Sequence, residues 1–79
     1  MTERIKKILA DVLEDHSLEH SLTDNANLIT EIGLDSLQMI DFMLRIEEEF
    51  DVEIDFEKLN FDDLQSISRF SEYLSTIAV

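Results

Sequence analysis

The chain has no cysteine and no proline, and Gly33 is its only glycine. Without cysteine there is no disulfide, no thiolate metal site and no cysteine nucleophile. With so few turn-forming residues, nothing points to strands separated by tight turns. No apolar run approaches the roughly 20 residues needed to cross a bilayer. The segment Met1-Thr2-Glu3-Arg4-Ile5-Lys6-Lys7 leads into an amphipathic pattern and holds no apolar signal core, so a soluble, cytoplasmic protein is expected. Positive charge is also scarce. Six basic residues stand against nineteen acidic ones, for a formal net charge of −13. That balance disfavours nucleic acid and anionic membrane as partners, since both would repel the chain. It favours basic protein surfaces and salt-sensitive association, although solubility alone also accounts for an acidic composition.

What is present is apolar residue at helical spacing. Hydrophobic residues make up 44% of the 79 residues, which suits one folded domain over residues 1–79 with a modest core. Ile5, Ile8, Leu9, Val12 and Leu13 follow the i, i+3, i+4, i+7 pattern of one buried helix face. Thr2 is placed to cap that helix, and Glu3 suits its positive end. The helix should fade near Asp15 to Ser17. From Leu18 to Leu34 the pattern is mixed, with Thr23-Asp24-Asn25-Ala26-Asn27 reading as loop. Leu28, Ile29, Ile32 and Leu34 would pin that long segment to the core. A second helix is expected from Ser36 to Phe50 and a short helical turn over Phe56 to Leu59. A last helix begins near Ser66, with Ile67, Phe70, Tyr73, Leu74 and Ile77 as its inward stripe. The expected class is all-α: a bundle of three main helices plus one short one.

The second helix is the informative one. Asp35-Ser36-Leu37-Gln38 fits a capping box, with Asp35 at the cap and Gln38 three residues on. Gly33 permits a sharp approach of the chain. Ser36 is then the first helical residue, its hydroxyl pointing outward at the positive end of the helix. At roughly 100° per residue, Met39, Phe42, Met43, Ile46 and Phe50 share one side. Leu37, Ile40 and Leu44 fall nearly opposite, flanked by Asp41, Glu47 and Glu48. One stripe builds the core. The other, left near solvent with an acidic border, reads as a docking strip for basic partners, unless neighbouring segments wrap it.

A serine at a helix start is often only a good starting residue. A hydrolytic serine would need a base and an orienting third group. Only His16 and His20 are available, and they read as surface residues near the end of the first helix. Their i, i+4 spacing could form a weak metal pair, but no third ligand is evident, so no metal site is expected. Gly33-Leu34-Asp35-Ser36-Leu37 also lacks the spacing and second glycine of a nucleophile elbow. Asp51-Val52-Glu53-Ile54-Asp55-Phe56-Glu57 has Phe56 where a calcium loop requires glycine. If Ser36 has chemistry, it is as a modified residue rather than a catalytic one.

Gly33-Leu34-Asp35-Ser36-Leu37, followed by Ile46-Glu47-Glu48-Glu49-Phe50-Asp51-Val52-Glu53-Ile54, resembles the acyl carrier proteins. Ser66-Ile67, Phe70 and Tyr73-Leu74 are similar to the start of that family's last helix. The resemblance implies the family's four-helix bundle and no catalytic role for the chain itself. It implies that Ser36 receives 4′-phosphopantetheine from coenzyme A through a phosphopantetheinyl transferase, which Asp35 helps to engage. The arm's thiol would hold an acyl or aminoacyl group as a thioester. Leu37, Ile40, Asp41, Leu44, Glu47 and Glu48 match positions that face loading ligases and synthases. Met39, Phe42, Ile46 and Ile54 match the lining of the space for an acyl chain. A monomer is expected. Four features depart from the fatty-acid carriers: Gln38, Arg45, Asp55 and a longer link over Asn60 to Gln65. They favour a specialised stand-alone carrier in a polyketide, peptide or modified-lipid pathway. The competing reading is an acidic interaction module or regulator without a prosthetic group.

Overall fold

The computed structural model describes residues 1–77. Its helices are α1 (Thr2–Val12), α2 (Leu18–Ser21), α3 (Ser36–Phe50) and α4 (Ile67–Ile77), with a 3-10 turn at Phe61–Leu64. Three are long and one is short, as an acyl-carrier-type bundle requires, and no strand occurs among the described residues. None of these helices is long and apolar enough to cross a membrane.

α1 buries Ile5, Ile8, Leu9 and Val12, as their spacing indicates, and Ala10 besides, while Leu13 is half-buried. Met1 rather than Thr2 takes the cap position, without a side-chain bond, so Thr2 is the first helical residue and not the cap. The helix also stops about one turn earlier than its periodicity suggests. Glu14 adopts a left-handed conformation, φ 53°. Its N–H donates to the Asp11 carbonyl and the Asp15 N–H to that of Ala10. This paired closure satisfies the last carbonyls and turns the chain away. Asp15 closes the turn before α2, its Oδ1 accepting the Ser17 N–H at 3.2 Å and the Ser17 hydroxyl at 2.6 Å. One turn is too short to show a period, which is why the sequence reads as mixed there.

The segment before α3 is irregular but firmly held. Asn27 Oδ1 accepts the N–H groups of Ile29 and Thr30 at 2.8 and 2.9 Å, folding the backbone into a side-chain-closed turn. The Leu28 N–H donates to Leu64, and the Ile67 and Ser68 N–H groups donate to Ala26 and Asp24. Ala26 and Leu28 are fully buried, and Ile32 and Leu34 pack partly on the core. Ile29 stays half-buried and instead lines a shallow groove with Phe61.

Phe56 to Leu59 forms only a hydrogen-bonded turn, the Lys58 and Leu59 N–H groups both reaching the Asp55 carbonyl. The regular short element in this region falls later, at Phe61–Leu64, where the Asn60 N–H donates to Asp63 Oδ2. The short helical turn expected over Phe56 to Leu59 is thus present as a single hydrogen-bonded turn that does not continue into a helix. Ser66 does start α4, its hydroxyl accepting the Arg69 N–H at 3.0 Å. α4 buries Ile67, Phe70 and Leu74 against α1 and α3, with Tyr73 and Ile77 half-buried. The Phe42 and Phe70 rings meet at 5.4 Å in the centre. Burying each such side chain contributes roughly 1.5–3 kcal/mol.

Candidate functional site

α3 starts as its sequence indicates. Asp35 is extended (φ −78°, ψ 178°), and its Oδ1 accepts the Gln38 N–H at 2.8 Å. Gln38 Oε1 accepts the Asp35 N–H at 3.1 Å, completing the capping box. Gly33 approaches at φ +71°, in the left-handed region that favours glycine, with open space where a Cβ would sit. Ser36 is the first residue of the helix and is exposed. Its hydroxyl makes no hydrogen bond among the described residues, to His16 or His20 or to any other group. Both histidines are exposed, and His16 Nδ1 lies 3.7 Å from Asp11 Oδ1. The N–H groups of the first turn have no helical acceptor, and the helix is positive at this end. A monoanionic group esterified to Ser36 therefore fits its surroundings.

The two apolar stripes separate cleanly. Phe42, Met43 and Ile46 are buried, whereas Leu37, Ile40 and Leu44 are 79%, 55% and 56% exposed. Of the residues expected to line an acyl space, Phe42 and Ile46 are fully buried, Ile54 nearly so, and Met39 packs partly on the same core. They belong to the packed interior around Phe70.

The acids bordering the exposed strip are not equivalent. Arg45 Nε donates to Asp41 Oδ1 at 2.9 Å, one helical turn away. That bond, and the carboxylate charge behind it, hold the Arg45 guanidinium above its ordinary pKa. Glu47 Oε2 accepts the Ile54 N–H at 2.8 Å and so ties α3 to the segment after it. Glu49 faces α1: its Oε1 accepts from Arg4 Nε at 2.9 Å, while the Arg4 guanidinium lies 4.6 Å from the Phe50 ring centre. Glu48 is exposed and has no side-chain hydrogen bond or ion pair among the described residues. The Asp41–Arg45 pair was legible as an i, i+4 spacing. The Glu47 bond to the backbone of Ile54 was not, because nothing local dictates where that N–H lies.

A helical bundle with an exposed serine at a capped helix start, beside an exposed apolar strip, has the form a prosthetic-group carrier needs. Residues 3–74 match the family described as the phosphopantetheine attachment site. The chain is similar to Aminoacyl carrier protein 1 of Bradyrhizobium diazoefficiens, 32% identical over 73 residues, or 92% of this chain and 80% of that protein. The chain belongs to the acyl carrier protein family, and its cofactor is 4′-phosphopantetheine.

Proposed function

We propose that the chain tethers aminoacyl or other acyl groups on a phosphopantetheine arm attached to Ser36 and presents them to biosynthetic enzymes. The observation that carries this is the exposed, unbonded Ser36 hydroxyl at the first position of α3, next to the capping box of Asp35 and Gln38. When bound, the arm supplies a thiol that carries the acyl group as a thioester. The chain's own part is to position and display, not to catalyse. Asp35 fixes the helix start and stands beside the attachment point for the transferase. Leu37, Ile40 and Leu44 form the docking strip, and the acidic border attracts basic surfaces on loading ligases and synthases. A tether raises the effective concentration of cargo at each partner, so weak docking suffices.

The aminoacyl carrier protein named above supports an aminoacyl cargo in a specialised pathway. Residues 1–79 are read as one carrier domain, since α1, α3, α4 and the segment before α3 share one core. The test is intact mass after incubation with coenzyme A and a promiscuous phosphopantetheinyl transferase. Wild type should gain one phosphopantetheine and Ser36→Ala none. A gain that survives in Ser36→Ala, or no gain on wild type, refutes the assignment.

A further inference from the structure

Four acids lie on α3 after its first turn, and their surroundings divide them. On the helical wheel, Leu37, Asp41, Leu44 and Glu48 fall within about 60° of one another and form the middle of the exposed face. Glu47 lies on one flank and bonds the Ile54 N–H. Glu49 lies on the other and is engaged by Arg4 at 2.8 Å. Asp41 is central, but Arg45 occupies its Oδ1 and places a positive charge beside it. Glu48 is central and, among the described residues, accepts no side-chain hydrogen bond and forms no close ion pair; the Arg45 charge reaches it only through space. The formal acidity of the helix thus overstates what a partner would meet.

We propose that Arg45 is a specificity-determining residue of the docking face: it withdraws Asp41 into an intrahelical pair and leaves Glu48 as the anchor for a cationic partner group. This rests on the reading of Leu37, Ile40 and Leu44 as the docking strip. The partner that fits is a basic surface with an apolar socket for that strip and one cation placed for Glu48, one turn beyond Leu44. A partner with cations spread evenly along the helix would place one against Arg45 and be disfavoured.

The test uses transferase-catalysed loading of the full chain, measuring KM, kcat and salt dependence, with melting temperature as a folding check. Glu48→Gln should raise KM by about threefold, the scale of an exposed charge pair, with kcat unchanged. Arg45→Gln should lower KM by a similar factor, and adding Asp41→Asn to it should reverse that gain. Both effects should shrink at high salt, as expected for rim charges. Glu49→Gln, changed on the flank, should not move KM. An Arg45→Gln variant that docks no better than wild type overturns the inference. So does a double variant whose KM rises as far as that of Glu48→Gln, since Asp41 would then dock despite its pair. Those results would leave Ser36 as the attachment site intact. Loading that persists in Ser36→Ala overturns the underlying reading itself.

Discussion

Tyr73 carries a buried hydroxyl with no well-formed hydrogen bond among the described residues, and the Asp55 backbone only partly offsets its burial. Its ring stacks near Phe70, with centroids 6.1 Å apart, so the apolar part of the side chain contributes packing while the oxygen contributes a desolvation cost. Tyr73→Phe keeps the ring and removes that cost, so the melting temperature should hold or rise in a thermal melt. Burial pushes the Tyr73 hydroxyl above its ordinary value. A folded-state pKa raised above the unfolded one gives stability that is complete below the unfolded value of about 10 and lost as pH rises beyond it. Tyr73→Phe should therefore flatten part of the alkaline fall in stability, measured as melting temperature between neutral pH and pH above about 10. At this scale the sequence was most informative about Ser36 and Asp35, because a capping box is closed within four residues. It was least informative about Tyr73 and Glu47, whose partners or lack of them depend on distant segments.

Among the elements, α3 is delimited by two unusual backbone conformations. Gly33 precedes it at φ 71° and Asp51 ends it at φ 53°. The Asp51 and Val52 N–H groups both bond the Glu47 carbonyl, so the left-handed cap closes the helix in the usual hydrogen-bonded way. An aspartate tolerates that conformation less well than glycine does. Asp51→Gly should stabilise the fold by about 0.5–1 kcal/mol. Gly33→Ala should cost about 1 kcal/mol through backbone strain alone, because an added Cβ meets nothing within 4 Å. Urea unfolding of the two variants checks both signs. Equal stability in both would mean that neither left-handed position is strained. The helical stripes of α1, α3 and α4 were readable from spacing, since each is long enough to show its period. α2 and the 3-10 turn were not, because a single turn is too short to show a period.

For the whole molecule, charge is the dominant quantity. A net charge of −13 on a fold with a Cα radius of gyration of 11.4 Å implies strong self-repulsion. The cross-element ion pairs offset little of it: Arg4 joins Glu49 and Lys6 joins Asp24. The melting temperature should rise as sodium chloride is raised from about 10 mM to 150 mM, over which the screening length falls from about 30 to 8 Å. A melting temperature indifferent to salt would show that the unfolded chain repels itself as strongly as the folded one.

The sequence by itself determined the helical class, the start of α3 and the position of Ser36 on it. Those follow from interactions within four residues and from a repeat of 3.6, both intrinsic to the chain. It also showed that α3 carries two apolar stripes, but spacing is indifferent to which of them is buried. The tertiary structure decided that, by packing Phe42 on Phe70 and leaving Leu37, Ile40 and Leu44 outside. It also assigned Glu47 to Ile54 and Glu49 to Arg4, 45 residues away along the chain. Which acids of the face remain open to a partner is therefore a property of packing. A carboxylate's availability depends on the donors that the fold brings to it, and sequence spacing alone does not place them.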